Sequence, residues 1–142
     1  MRLKKRYVVF AALVGAIAAF SAVAFAGSPH QVGTCTTTQS GTNGNTLTIN
    51  CKEAGLGDET QVVTQTTATA LCINNGGNHP KAVNKASVSA TTTTPVQNGK
   101  ADITITLTAT FSPECSPPMT IQFTDILVFD QTNGYYLEPF SP

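Results

Sequence analysis

The stretch LCINNGGNHPKAVNK, from Leu71 to Lys85, contains the strongest candidates in the chain for a reactive site. His79 is one of two histidines in the chain. A histidine acts as a general base only when a nucleophile lies within hydrogen-bonding reach and a carboxylate orients its ring. The sequence contains no Gly-x-Ser-x-Gly elbow and no clustered pair of carboxylates, and two disulfides would leave no free thiol. We therefore predict no catalytic residue and no enzyme activity.

The same stretch is a candidate binding loop. Loops held on a rigid sandwich often carry recognition, although asparagine, glycine and proline also form connections with no role in binding. Both interpretations stay open. The candidate binding residues come from this loop and from the later SPPM connection, and they are Asn74, Asn75, Asn78, His79, Lys81, Pro117 and Met119.

Cofactors, metal ions and nucleic acids are not expected as partners. The chain has no Cys-x-x-Cys pair on which to build a zinc site, and no Lys-Ser/Thr pair follows Gly55 and Gly57 as a phosphate loop requires. Beyond residue 26 the chain has four lysines, no arginine and eight carboxylates, a net charge of −4. Nucleic acid needs a basic face, so an unknown protein or polysaccharide is the expected ligand.

Residues 1–26 have the features of a signal peptide. Four cations precede an uncharged run that ends in Ala24-Phe25-Ala26, where a signal peptidase requires small residues. We place the cleavage between Ala26 and Gly27. A membrane anchor is the alternative, because about twenty apolar residues can span a bilayer. The prediction is a secreted protein, extracellular or associated with the cell envelope, with no membrane span after cleavage and one domain over residues 27–142.

The four cysteines predict two disulfides in an exported chain. Cys35 and Cys51 are equidistant from Asn43, in the middle of the turn SGTNGN, so a hairpin centred there brings them opposite each other. That hairpin leaves Cys72 to pair with Cys115. Four cysteines allow three pairings, and this is the one that the register favours.

Alternating residues predict an all-β fold. In ADITITLTATF, apolar residues alternate with Thr104, Thr106, Thr108 and Thr110, and three further segments, NTLTIN, TQVVTQTTATALCI and ASVSATTTT, are strand-like. No segment has a helical period. Seven short strands in about 110 residues are typical of an antiparallel immunoglobulin-like or fibronectin-like β-sandwich with two disulfides.

Turn residues predict how the strands connect. Asn98-Gly99 indicates a two-residue hairpin, which would pair Ala90 with Leu107. A connection centred on Cys115 would likewise pair Ala109 with Ile121.

Two local irregularities are also expected. The apolar phase changes after Phe123, which indicates a β-bulge near Thr124-Asp125, with a buried Asp125 as the alternative. Leu56, between Gly55 and Gly57, is expected to turn into the core.

The threonines suggest one surface function. Side chains on one face of a strand repeat about every 6.7 Å and strands lie about 4.8 Å apart, so rows of threonine could form a regular grid that binds ice or polysaccharide. The alternative is that threonine simply forms the solvated half of each strand, because the twist of a sheet disturbs such a grid.

Four motifs carry a resemblance: KEAGLGD, CINNGGNHPKAVNK, PVQNGKA and CSPPMTIQFTDILVFDQTNG. As a set they resemble a group of small exported bacterial proteins without an assigned activity, over about residues 47–134. The resemblance implies export and the order of the loops, and it implies no reaction or ligand.

These observations predict a non-enzymatic binding or structural module that acts at or outside the cell envelope. One alternative is a proteinase inhibitor whose disulfide-anchored loop, Cys115 to Met119, enters a protease cleft. A lesser alternative is the threonine surface that binds ice or polysaccharide.

Overall fold

The computed structural model describes residues 27–74 and 84–142, which form eight β-strands in two antiparallel sheets. The first sheet contains β1 (His30–Gln31), β2 (Thr36–Ser40), β3 (Thr46–Ala54) and β6 (Ala101–Thr108). The second sheet contains β4 (Gln61–Ile73), β5 (Lys85–Pro95), β7 (Thr120–Asp130) and β8 (Tyr135–Tyr136). A short 3-10 turn, Thr42–Gly44, joins β2 to β3.

The sheets differ in their strand order. In the first, β3 is central, with β1 and β2 along one edge and β6 along the other. In the second, the order is β5-β4-β7-β8. The two-residue β1 brings the described strands to eight, one more than the seven that the sequence indicated.

The inward faces of both sheets contribute to one core. Ile49, Ile103 and Ile105 of the first sheet pack in the same buried cluster as Val62 and Val128 of the second. These residues sit at alternate positions in their strands, so the period of two directs them to one side. Burying each such side chain stabilises the fold by about 1.5–3 kcal/mol.

The tight turn at Asn98-Gly99 is confirmed. Both residues have positive φ, 52° and 69°, and Gln97 pairs with Lys100 across the turn. The turn is the point at which the chain leaves the second sheet and enters the first.

The pairing predicted beyond that turn is wrong. Ala90 pairs with Thr66 in the second sheet, and Leu107 pairs with Leu47 in the first. The alternating pattern shows which face of a strand is buried. Two strands that bury the same face against one core can be neighbours in one sheet or can lie in opposite sheets, so the pattern does not identify the partner strand.

The predicted pairing of Ala109 with Ile121 is wrong for the same reason. Ile121 pairs with Cys72 in the second sheet. Ala109 instead packs against Ile121 within a small buried cluster at that end of the molecule.

The bulge in β7 is confirmed. The register of β4 with β7 shifts between Thr67 and Thr69, so Asp125 and Ile126 both lie opposite Ala68. Asp125 has a φ of 50° and is exposed, while Ile126 packs against the core. The extra residue resets the phase of the strand.

Both predicted disulfides are present. Cys35–Cys51 joins two residues whose Cα atoms are 4.4 Å apart, and Cys72–Cys115 joins two whose Cα atoms are 5.8 Å apart. The hairpin register that suggested the first pair, with Thr38 opposite Thr48, is also observed.

In the part of the chain that the structure describes, no helix is long and apolar enough to cross a membrane. The predicted signal peptide, residues 1–26, lies outside the described residues. The start of the predicted mature chain, Gly27, is described and exposed.

Candidate functional site

The Cys72–Cys115 disulfide joins the end of β4 to the connection between β6 and β7. Asn74 follows β4 directly and is exposed. Pro117 is also exposed, in a turn in which the Met119 N–H donates to the Ser116 carbonyl at 3.0 Å. The disulfide therefore holds the end of β4, from which the first predicted binding segment continues, beside the SPPM connection.

The structure describes some of the predicted binding residues and not others. Met119 is half-buried, and its sulfur lies 3.6 Å from Cys72 Sγ, so this residue packs against the disulfide. Asn75, Asn78, His79 and Lys81 lie outside the described residues, and their role in binding stays a prediction.

A shallow cleft of about 290 Å³ opens beside the same disulfide. Glu114, Phe111 and Thr110 line one side, and Asn45 and Thr42 line the other. Two hydrogen bonds hold the sides together: Asn43 Nδ2 donates to the Cys115 carbonyl at 2.7 Å, and the Ala109 N–H donates to the Asn45 carbonyl at 2.8 Å.

The outward face of the first sheet carries a regular array of small polar side chains. Three strands, β2, β3 and β6, lie side by side there, and their register brings outward side chains into rows of three. The members, here called the threonine face, are Thr36, Asn50 and Thr104; Thr38, Thr48 and Thr106; and Ser40, Thr46 and Thr108.

Alternation in β3 and β6 produces two thirds of this face, whereas β2 (TTTQS) is polar and exposed at every position. Each apolar residue that points into the core, such as Ile49 in β3 or Ile105 in β6, is flanked by small polar residues that point outward. Seven of the nine members are threonine and one is serine, so eight hydroxyl groups lie at strand spacing, about 4.8 Å across and 6.7 Å along the sheet.

Charge is confined to one end of the threonine face. Lys52 and Asp102 form the next row, with Nζ 3.6 Å from Oδ1, and both side chains are largely exposed. A surface pair of this kind contributes little to stability. The Thr104 hydroxyl donates to Asn50 Oδ1 at 2.9 Å, beside a hollow of about 200 Å³.

The outward face of the second sheet is chemically different. Phe129 of β7 and Tyr136 of β8 pair across the sheet with ring centroids 4.9 Å apart. Gln65 lies beside Phe129 and accepts a hydrogen bond from Gln131 at 2.9 Å. The β7–β8 part of this face is therefore more apolar than the threonine face, whereas its β4–β5 part also carries hydroxyl groups, from Thr67, Thr69, Ser87, Ser89, Thr91 and Thr93.

A group of polar side chains is buried between the sheets at the opposite end from Cys72–Cys115. Glu53 is 1% exposed and Asp130 is fully buried. Burial is the main reason that the pKa of Glu53 rises to about 7; the hydrogen bond from Tyr135 opposes the rise, and the charge of Asp130 adds to it. Burial and the bond to Glu53 also raise the pKa of Tyr135 above its ordinary value.

Within residues 27–74 and 84–142, no three metal-ligating side chains are grouped closely enough to hold an ion. The arrangement on the surface is one that can form many weak hydrogen bonds in parallel, since each hydroxyl both donates and accepts.

The sequence predicted the outward threonines of β6 and, separately, the β2–β3 register that forms the rest of the threonine face. That register places Thr38 opposite Thr48. The pairing of β3 with β6 was not predicted, so the two halves of the face were not joined. The buried Glu53 group was missed, because Glu53 and Tyr135 are 82 residues apart.

Comparison with protein-family models found no matching family, and searches of curated proteins and of solved structures found no matching relative.

Proposed function

We propose that this chain is a secreted, non-enzymatic binding module that attaches to an insoluble, neutral polysaccharide at or outside the cell envelope. The observation that carries the proposal is the threonine face, with eight hydroxyls and one amide in three rows. Two disulfides are compatible with an exported protein, and the resemblance to exported bacterial proteins agrees with this location.

Chemical complementarity favours a neutral sugar polymer. The nine side chains of the face carry no charge, so the face has no electrostatic attraction for an anionic polymer. A polysaccharide presents hydroxyl groups at a regular repeat, which match hydroxyl and amide groups that both donate and accept. Many such bonds across one face give affinity through their number, since each is worth only about 0.5–1.5 kcal/mol.

The geometry of a sheet favours a polymer over ice. Adjacent strands rotate by about 20–25° relative to each other, so a three-stranded face is not flat over its whole width. A single polysaccharide chain can follow that twist, whereas a crystal plane cannot. Ice binding is therefore the lesser alternative.

We infer an immunoglobulin-like or fibronectin-like sandwich for the scaffold. When the short β1 is set aside, the first sheet contains the first, second and fifth strands and the second contains the third, fourth, sixth and seventh. This division is close to the one used by immunoglobulin domains, and it supports the inference. In such a scaffold the outward sheet faces and the end loops are both available for ligands.

The proteinase-inhibitor alternative has less support. Residues 116–118 are exposed, but the turn folds back through the hydrogen bond between Met119 and Ser116, and Met119 packs against the disulfide, so the loop does not project outward. The predicted loop site at residues 74–85 remains a second location for the proposed binding.

Co-sedimentation tests the proposal. The exported, oxidised protein is mixed with its own envelope fragments or with a panel of insoluble neutral polysaccharides, and the pelleted fraction is measured against salt concentration. We expect saturable pelleting that persists at high salt, because uncharged groups make the contacts and screening acts on charges.

Thr48→Tyr supplies the decisive variant, because Thr48 is in the middle row and the middle strand of the face. Tyrosine is well tolerated in strands, so its bulk should block the face and weaken pelleting by at least about tenfold, equivalent to about 1.4 kcal/mol. Thr93→Tyr, on the exposed face of β5, is the matched control and should bind normally. Equal losses in both variants, or no pelleting of the wild type, would contradict the proposal.

Replacing residues 75–79 with glycine and serine separates the two locations. If this loop variant stops pelleting while Thr48→Tyr pellets normally, the site is the loop and not the threonine face. Inhibition of ice growth without any pelleting would support the ice alternative instead.

A further inference from the structure

Two buried carboxyl groups meet between the sheets. Glu53 lies on β3 in the first sheet and Asp130 ends β7 in the second, with exposures of 1% and 0%. Tyr135 connects them, because it pairs with Asp130 across β7 and β8 and its hydroxyl bonds to the Glu53 carboxyl group. Two ionised carboxylates in one buried group would repel each other.

Asp130 has the partners of an ionised carboxylate. Its Oδ1 accepts hydrogen bonds from the backbone N–H groups of Thr132 at 2.8 Å and Asn133 at 3.1 Å. Its Oδ2 accepts one from Asn133 Nδ2 at 2.7 Å. Three N–H donors stabilise a negative charge on this group.

Glu53 has the partners of a neutral acid. Its Oε1 accepts a hydrogen bond from the Tyr135 hydroxyl at 2.5 Å, while its Oε2 is buried and has no donor among the described residues. A buried acceptor without a donor is costly. A proton on Oε2 converts that atom into a donor, and the buried Asp130 carboxyl group is the candidate acceptor.

The other groups around Glu53 also favour the protonated form of its carboxyl group. Glu59, in the β3–β4 connection, adds a third negative charge nearby. The residues paired with Glu53 on the neighbouring strands, Gln31 and Ala101, are uncharged. Lys52 precedes Glu53 on β3, and His30 pairs with Ala54, the residue after Glu53. The side chains of both therefore point to the other face of the sheet.

We propose that native Glu53 carries a proton which it shares with Asp130. This shared proton, here called the clasp, stabilises the packing of the C-terminal segment, residues 135–142, against the core and makes that packing dependent on pH. Asp130 and Tyr135 stand at the two ends of the turn that leads into β8. Directly after β8, Leu137 is fully buried and its N–H donates to the Val128 carbonyl at 2.8 Å. Loss of the proton places two like charges at the base of this segment.

The direction of the pH effect follows from the two ionisation equilibria of Glu53. Its pKa is about 7 in the fold and about 4.5 as an ordinary glutamate. Between these values the native state holds one more proton than the unfolded state, so the unfolding equilibrium constant should rise about tenfold per pH unit. The stabilisation is complete below about pH 4.5 and is lost once the pH has passed 7.

Glu53→Gln is the decisive variant. A glutamine amide is neutral at every pH, can donate to Asp130 and can accept from Tyr135. Urea unfolding of the exported, oxidised protein would be measured for wild type and variant from pH 4.5 to 8. We expect the ratio of their unfolding constants to change by about 100-fold or more over this range, with the variant favoured at pH 8.

Two controls make the test specific. Asp58→Asn removes an exposed carboxylate of the β3–β4 connection and should keep the wild-type pH profile. Tyr135→Phe removes a hydrogen bond that lowers the pKa of Glu53, so the midpoint of the wild-type pH effect should move upward.

Hydrogen exchange tests the location of the clasp. After correction for intrinsic rates, the Leu137 amide should exchange faster above pH 7 in the wild type but not in Glu53→Gln. Identical pH profiles of unfolding for these two proteins would overturn the proposal. If Glu53→Gln does not fold, a ¹³C titration of the wild-type Glu53 carboxyl decides the matter, and a midpoint near 4.5 would overturn the proposal.

Discussion

At the scale of single residues, Leu56 illustrates how local backbone geometry fills the core. Gly55 and Gly57 have φ values of 70° and 57°, in the region that disfavours other residues. The turn they form directs Leu56 inward to 1% exposure, and its N–H donates to the Gly99 carbonyl at 3.0 Å. One side chain thereby closes the end of the core between two connections.

Leu56→Ala should therefore lower the free energy of unfolding by about 2–5 kcal/mol, because it removes buried apolar surface and leaves a cavity. Urea denaturation at constant pH measures the change. Val32→Ala, at a side chain that is 47% exposed, should change it by no more than about 0.5 kcal/mol. Equal stabilities of the two variants would show that Leu56 does not close the core.

At the scale of elements, the disulfides constrain chain segments of different length. Cys35–Cys51 closes a separation of 16 residues within one sheet, and Cys72–Cys115 closes a separation of 43 between β4 and the β6–β7 connection. In the chain-entropy description, each stabilises the fold by restricting the unfolded state, and the longer loop restricts it more.

Replacing both members of one pair with serine should reveal this difference. Loss of Cys35–Cys51 should lower the free energy of unfolding by about 3 kcal/mol and loss of Cys72–Cys115 by about 4 kcal/mol. Thermal unfolding of the two double variants and the wild type, under non-reducing conditions, measures both values. A larger loss for the Cys35–Cys51 variant would mean that contacts made by the sulfurs in the folded state outweigh loop length.

The same scale shows which features could be predicted from sequence. The Asn98-Gly99 turn, the bulge at Asp125 and the Cys35–Cys51 hairpin depend on nearby residues, and all three are confirmed. The neighbours of β5 and β6 were predicted wrongly, because alternation determines which face is buried and leaves the partner strand open. The full threonine face depends on that partner, so its β2–β3 part and its β6 threonines could be predicted separately but not joined.

At the scale of the whole molecule, charge is separated from the proposed binding surface. The chain beyond residue 26 has four lysines and eight carboxylates, yet the nine residues of the threonine face are uncharged. A net negative charge keeps such a protein soluble, while the neutral face can approach a neutral polymer without electrostatic repulsion. This separation is what the salt-independent binding expected above requires.

The N-terminus of the exported chain supplies the last prediction. We expect the exported protein to begin at Gly27, because Ala24-Phe25-Ala26 presents small residues to a signal peptidase. Gly27 lies against the Gly55 carbonyl with no space for a Cβ atom, so the first residue after the predicted cleavage already belongs to the fold.

Intact mass spectrometry of the exported protein tests this start and the cysteine pairing together. The mass should correspond to residues 27–142 less four hydrogens, one pair for each disulfide, and a thiol-alkylating reagent should add nothing until the protein is reduced. Ala26→Leu puts a large residue at the cleavage site and should slow processing. A mature chain that keeps residues 1–26 would contradict the signal peptide and favour the membrane anchor, which would fix the binding face at the cell surface.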